Sequence, residues 1–309
     1  MSLIGWFKGE GESGFGYNTT AAEVVEGLDL SDQNILVTGV NSGLGFETAR
    51  VLASRGASIL GTGRTREKAE EACQQIGDAC TPLVCELSEP DSVRSCAASV
   101  RNAVDRLDVI ICNAGIMAPP NLRQSHGFEL QFFVNHIGHF TLVAELMDML
   151  AVDGRVVVVS SDLHNIAPNE GIQFDNLSGE DGYHGWKAYG QSKLANLLFA
   201  RELARRFEGT QRTANAVHPG VIDTNLDRHM NPFIRAGLKL AGPFTLKTVP
   251  QGAATATYAA VHPHAGRQNG EYLVDCNVGE SSEKGRDEEL ARRLWVRTEE
   301  IVREVSSGT

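Results

Sequence analysis

No run of about 18 apolar residues occurs in this 309-residue chain, so no helix of it is expected to span a bilayer. Basic charge is scarce as well. With 28 Lys and Arg against 39 Asp and Glu the formal net charge is -11, which leaves no positive face for nucleic acid or an anionic membrane. The six cysteines, at positions 73, 80, 85, 96, 112 and 276, include no C-x-x-C pair and no Cys/His spacing suited to zinc. A metal centre is not expected, and a reduced, cytosolic setting fits best. His262 and His264 flank Pro263 and are expected as hydrated loop residues. Met1 to Glu10 lacks the basic start and long apolar stretch of a secretory signal. Its apolar patch of Leu3, Ile4, Trp6 and Phe7 is too short to hold a bilayer alone and is expected to tuck against the domain. Neither an internal repeat nor a second domain boundary is visible.

What is present suits one generous α/β domain: 42% hydrophobic residues and 32 glycines. Residues 1–33 read as an irregular leader with a short helix over Thr20 to Glu26, and the domain is expected over 34–302 with a tail at 303–309. Ile35 to Thr38 forms a short apolar strand, followed by a glycine turn and a helical pattern ending at Gly56. Alternation continues with strands at 57–61, 82–86 and 107–112, and helices at 67–76 and 91–104. A long helix is expected over 128–150, a strand at 155–159, and a helix from Tyr189 towards Gly209. Strands at 214–217 and 271–274 and helices at 251–261 and 287–302 complete the pattern. Four successive valines at 156–159 suggest burial on both faces of a parallel sheet.

Gly39, Asn41, Ser42, Gly43, Leu44 and Gly45 make the turn after the first strand. Such a turn turns backbone N–H groups and the positive end of a helix dipole towards a pyrophosphate. An acidic residue about 20 positions later would bind the ribose 2′-hydroxyl of NAD, and none is there. Arg64 and Arg66 stand near that place; Arg64 suits a 2′-phosphate, whereas a loop cap explains Arg66 nearly as well. Asn113, Ala114 and Gly115 end the fourth strand, where small residues suit either a passing adenosine or a plain turn. Asn135 lies in the apolar middle of the long helix and must bond to backbone or hold a water.

Ser161 closes the valine strand, and carboxyl ends of parallel strands are where ligands bind. Tyr189 and Lys193, four residues apart, share one helix face. At ~4 Å and an effective dielectric of ~20 their attraction would be about 4 kcal/mol, enough to bring a phenol of ordinary pKa near 10 into catalytic range. Residues 221–250 mix Phe233, Phe244, leucines and prolines with few charges; an apolar lid and a pair of core-packed helices fit that composition equally.

Together, Thr38-Gly39-x-x-x-Gly43-x-Gly45, Asn113-Ala114-Gly115, Asn135, Ser161, Tyr189-x-x-x-Lys193 and Pro219-Gly220 resemble the short-chain dehydrogenase/reductase family over about residues 34 to 302. The long step from Ser161 to Tyr189, the segments 135–140, 192–196 and 272–276, and the leader 19–24 resemble its retinol dehydrogenase and WW-domain oxidoreductase branch. That branch includes plant relatives at the chloroplast envelope. The resemblance implies a single-domain Rossmann fold, a doubly wound parallel sheet of about seven strands with helices on both faces. It implies Asn135, Ser161, Tyr189 and Lys193 as catalytic residues. Cofactor contacts would come from the glycine turn, Arg64, Glu86, Leu87, Asn113, Ala114, Gly115, Tyr189, Lys193, Pro219, Gly220, Val221 and Thr224. Glu86 departs from the family's usual aspartate, and neither a WW domain nor a membrane anchor is expected.

The activity implied is hydride transfer between NADP(H), preferred over NAD(H), and a carbonyl or alcohol carbon of a small hydrophobic substrate. Tyr189 would move the proton, Ser161 would hold the substrate oxygen, and Asn135 would hold a water that relays protons to Lys193. A homodimer is allowed, and so is association with an organelle surface. Three rival functions differ in what they require. A non-catalytic cofactor sensor would most often have lost Tyr189 or Lys193, a nucleotide-sugar epimerase would show another glycine spacing and a larger C-terminal domain, and a scaffold or interaction protein would be compatible with an intact site.

Overall fold

A single sheet of eight strands orders the chain. The structure, a computed structural model, describes residues 9–222 and 246–307. The strands of this sheet are β1 (Asn34–Thr38), β2 (Ser58–Gly63), β3 (Cys80–Val84), β4 (Leu107–Cys112), β5 (Leu150–Val159), β6 (Thr213–His218), β7 (Tyr272–Val274) and β8 (Asn277–Val278), and a separate two-residue hairpin pairs Gln124–Ser125 with Phe128–Glu129. They lie in the order β8-β7-β6-β5-β4-β1-β2-β3, all parallel except the β7–β8 pair. The eighth strand, beyond the seven expected, is the return of a tight turn at Asp275 and Cys276, both with positive φ (53° and 63°).

Helices α1 (Ala21–Val24), α2 (Gly43–Ala53), α3 (Arg66–Ile76), α4 (Pro90–Ala103), α5 (Gly138–Leu146), α6 (Gly185–Arg206), α7 (Val249–Val261) and α8 (Glu288–Ser307) cover both faces. Residue alternation decides which face each strand side chain serves. Ile35, Val37, Ile111 and Val157 pack with α1, α2 and α7, while Leu36, Ile110, Val156 and Val158 pack with α4, α5 and α6. Burial on both sides is why these strands read as unbroken apolar runs. The C-terminal helix α8 lies on α6, and its Trp295 ring meets Phe140 at 4.8 Å and Phe199 at 5.8 Å.

After β3 the chain returns to the middle of the sheet and lays β4 beside β1. The carboxyl ends of β1 and β4 therefore flank the point where strand order reverses, which is where open α/β sheets bind ligands.

Several elements differ from the sequence pattern. The expected helix over 128–150 is three pieces: a short turn at Leu130–Phe132, a π-helical stretch at Phe133–Ile137, and α5. Residues 131–143 are buried on every side, so no solvent-facing polar stripe sets a period that would register the extra residue of a π turn. Strand β5 begins at Leu150 rather than near 155, because Leu107 pairs with Leu150 and Val109 with Arg155, leaving the intervening residues out of register. Cys73 and Cys80 form a disulfide between the end of α3 and the start of β3, against the expectation of reduced thiols throughout. His262, expected in water, stacks on Tyr258 at 5.0 Å and meets the edge of Phe15 at 5.2 Å.

The leader is built into the domain from Gly9 onward. Asn277 accepts from Ser13 N at 3.0 Å and donates to Phe15 O at 3.0 Å. Thr20 and Glu23 form a capping box, with Thr20 N donating to Glu23 at 2.7 Å, and Ala21, Val24 and Val25 are buried against α7. Among the described residues no helix is long and apolar enough to cross a membrane. Because Thr20 is half-buried and its capping bonds are local, Thr20→Ala should cost about 1 kcal/mol, lowering the melting temperature by roughly 2–4 °C in a calorimetric scan with activity unchanged.

Candidate active site

The glycine turn sits at the carboxyl end of β1. Gly39 has φ +76°, and the turn is tied to β2 by Gly39 N and Val40 N, which both donate to Thr62 O at 3.1 and 3.0 Å. Thr38 Oγ1 accepts from Asn113 N at 2.9 Å and Ala114 N at 3.0 Å, and Asn113 Nδ2 donates to Thr38 O at 2.8 Å. These bonds draw the Asn113-Ala114-Gly115 loop over the turn. A Cβ on Gly45 would lie 2.4 Å from both Asn113 Nδ2 and Gly39 O, so only hydrogen fits there. Helix α2 starts without a side-chain cap, for Ser42 is extended and makes no capping bond. Asn41 and Ser42 are exposed, and Leu44 is partly buried and packs against the α2 and α7 face of the core. The open amide end of α2, beside glycines that admit no side chain, suits a pyrophosphate. These residues fit a dinucleotide.

Arg64 is exposed at the carboxyl end of β2, two residues beyond Thr62, and among the described residues it forms no ion pair. Arg66 instead pairs with Glu70 at 3.3 Å. Glu86 Oε1 accepts from Ser88 N at 3.2 Å and Ser88 Oγ at 2.9 Å, and buried Leu87 packs on Gly138 at the start of α5. Pro219 and Gly220 are half-buried after β6, and Val221 O accepts from Lys247 N at 2.9 Å. Thr224, Phe233 and Phe244 lie outside the described residues, as does most of the segment expected as a lid.

Ser161, Tyr189, Lys193 and Asn135 come together at the end of β5. Lys193 Nζ donates to Val159 O at 3.0 Å, as does Asn196 Nδ2, and Ser160 Oγ donates to Lys193 O at 2.7 Å. Ser161 Oγ accepts from Leu163 N at 3.2 Å, and its hydroxyl lies near enough to the Tyr189 phenol to favour the phenolate. Gly190 permits this approach, because a Cβ there would stand 2.7 Å from Leu163 O. Asn135, fully buried in the π turn, accepts from Ile116 N at 2.9 Å and donates to Ile116 O at 3.0 Å and Ser192 Oγ at 2.9 Å. Its side chain is thus a clamp between the loop after β4 and α6, and both of its amide hydrogens are spoken for. Gly115 lies against it: a Cβ there would be 3.1 Å from Asn135 Oδ1 and 3.7 Å from Lys193 Nζ.

The electrostatics correct one expectation. Burial holds the Tyr189 phenol above the usual tyrosine range, and the Ser161 hydroxyl offsets only part of that. Lys193 Nζ is 5.6 Å from the Tyr189 ring centroid, and burial pulls the ammonium down to about 8. The anticipated depression of the phenol by Lys193 is not what governs it. Both groups sit in the same dry pocket, where the cost of charging either one outweighs their mutual attraction at this distance.

Sequence reasoning missed His139. Its Nδ1 faces Asn135 O at 3.0 Å, and a carbonyl can only accept, so Nδ1 carries the hydrogen; Nε2 then accepts from Thr38 Oγ1 at 2.9 Å. Burial keeps this imidazole neutral, its pKa down to about 4. The segment 135–140 held the signal, two histidines among apolar residues, without saying which would reach β1.

Comparison with known proteins agrees with this geometry. The family model for short chain dehydrogenase matches residues 33–234. "Short-chain dehydrogenase TIC 32 A, chloroplastic" of Brassica napus is 39% identical over 310 aligned residues, covering 96% of this chain and 97% of its own length. Human "Retinol dehydrogenase 14" is 39% identical, covering 88% of this chain and 87% of its own. A crystal structure of a Mycobacterium paratuberculosis protein superposes with a TM-score of 0.75 at 32% identity, covering 91% of this chain and 97% of that one.

The crowding at Gly45 leads to a test. Gly45→Ala should push Asn113 off Thr38 and weaken dinucleotide binding at least tenfold, about 1.4 kcal/mol, by calorimetric titration with NADPH.

Proposed function

The chain belongs to the short-chain dehydrogenase family, oxidoreductases of CH–OH groups, and from that premise we propose that it is an NADP(H)-dependent reductase of apolar carbonyl compounds. The observation that carries the assignment is buried Tyr189 with Lys193 Nζ 5.6 Å from its ring and anchored on Val159 O, beside Ser161 at the carboxyl end of β5. A bound nicotinamide would supply or accept the hydride. The chain's own task is the substrate oxygen.

Ser161 Oγ and the Tyr189 hydroxyl converge on one place, where a carbonyl oxygen can accept from both. The Tyr189 phenol, protonated at neutral pH, serves as the proton donor in reduction and its phenolate as the base in oxidation. Lys193 holds positive charge beside the developing phenolate and is anchored by Val159 O. Asn135 sets the distance between the loop after β4 and α6. A water relay to Lys193, if it runs past Asn135, uses the main chain of the π turn, since the side chain is engaged.

Dinucleotide binding is assigned to the open end of α2, the Asn113-Ala114-Gly115 loop and the Pro219-Gly220 turn. Preference for NADP(H) rests on Arg64, exposed beside the glycine turn and without an ion pair among the described residues, with no acid near position 62. The apolar substrate class is supported by the composition of 221–250 and by the name of the human relative. A cytoplasmic setting, an organelle surface and a homodimer all remain compatible with this function; size-exclusion chromatography with light scattering reads the last.

Tyr189→Phe should lower kcat for NADPH-dependent aldehyde reduction by at least about 100-fold with NADPH affinity unchanged. Retention of more than a few per cent of activity would contradict the assignment. NADPH should bind at least about tenfold more tightly than NADH, and Arg64→Asp should reverse the order. Equal affinities in the wild type would remove the basis for NADP(H) preference.

A further inference from the structure

Beneath Ser161 lies a polar cluster that the proposed chemistry does not use. His164 Nδ1 is 2.7 Å from Ser161 O, and His164 Nε2 accepts from Ser282 N at 2.9 Å. A carbonyl only accepts and a backbone amide only donates, so His164 carries its hydrogen on Nδ1 and none on Nε2. His218 is held in the opposite sense. Its Nδ1 accepts from Asp162 N at 3.3 Å, which puts the hydrogen on Nε2, 3.2 Å from Asp162 Oδ2. The second carboxylate oxygen accepts from Tyr272 OH at 2.8 Å, and the Tyr272 ring lies edge-on to His164 at 5.2 Å. Both histidines are buried.

We propose that His164 and His218 are positioning residues which, each as one neutral tautomer, clamp the main chain on either side of the Ser161–Asp162 bond and so keep Ser161 Oγ against Tyr189. The inference rests on Ser161 being the group that meets the substrate oxygen. It gives the Tyr272 to Cys276 segment a function, since Tyr272 braces Asp162 from β7.

A proton added to either ring lands on the nitrogen that receives a backbone N–H. Two hydrogens then face each other and the bond is lost. The groups facing the rings pull in both directions. Asp162 and Asp275 favour charged His218, while Lys247 and His164 oppose it; Asp162 favours charged His164, and Arg201 opposes it. Burial outweighs these, and both rings are held below the ordinary value near 6.5. The clamp is therefore closed at neutral pH and opens as pH falls.

The test is the pH profile of kcat for NADPH-dependent reduction of a linear aldehyde of about eight carbons, at saturating NADPH. Wild type should show an acid limb that lies below the ordinary histidine value near 6.5. His218→Gln keeps an acceptor and a donor but cannot protonate, and His164→Asn keeps the donor to Ser161 O. Each should hold kcat within about threefold at pH 8 and move the limb, and the double variant should lose it. His218→Phe, which removes both bonds, should lower kcat at least tenfold with KM for NADPH within about twofold. If that variant fails to fold, the Gln and Asn profiles decide alone. A wild type with no acid limb, or a double variant whose limb superimposes on it, overturns the clamp. Ser161→Ala separates the two levels. Loss of kcat there, with unmoved histidine profiles, refutes the clamp and leaves the proposed chemistry standing, whereas wild-type kcat in Ser161→Ala removes both.

Discussion

The carbonyl oxygen of Val159, the last residue of β5, holds the active face together. Lys193 and Asn196 both donate to it at 3.0 Å from successive turns of α6, and the next residue, Ser160, returns a bond to Lys193 O. Ser160 N donates in turn to Val217 O on β6. Strand, helix and neighbouring strand are thus joined within two residues of Ser161. A buried carbonyl takes two donors at little cost, whereas leaving either donor unpaired in this dry region would cost ~1–3 kcal/mol. Any shift of α6 along the sheet would break these bonds at once, so the spacing of Tyr189 from Ser161 follows from hydrogen bonds deep in the core rather than from the surface loops.

The same dryness decides the charge states. Tyr189, Lys193, His139, His164 and His218 are all displaced towards their neutral forms, each chiefly by burial. Neutral imidazoles have one donor and one acceptor, and each of these three histidines finds one partner of each kind. A site of this construction carries direction in its hydrogen bonds. The chain from Thr38 Oγ1 through His139 to Asn135 O connects the end of β1 with the π turn, and the bonds at Ser161 and Asp162 connect the turn after β5 with β6 and β7.

Close approach of backbone to backbone makes this network possible. Gly45, Gly138 and Gly190 each stand where a methyl group would lie within 2.7 Å of a carbonyl oxygen. They let, respectively, the glycine turn meet the loop after β4, α5 meet Leu87, and α6 meet the turn after Ser161. The leader contributes from the far side, bracing α7 through Ala21, Val24 and Val25 while Phe15 joins the aromatic contact at Tyr258 and His262.

Local patterns alone determined the class of fold and the chemical types in the site. Strand runs buried on both faces, glycines between strand and helix, and the Tyr189 to Lys193 spacing are consequences of backbone geometry within a few residues, and these are written in the chain order. Three features were decided only by tertiary structure. Asn135 in the π turn finds its amide partners on Ile116, nineteen residues away, and on Ser192. The proton affinity of Tyr189 is set by how completely the surrounding core excludes water, which outweighs the neighbouring lysine visible in the sequence. The tautomers of His139, His164 and His218 depend on whether a carbonyl or an amide from another element faces each nitrogen. Distant segments must be brought together before any of these has a value, and a one-dimensional pattern holds no record of which groups will meet.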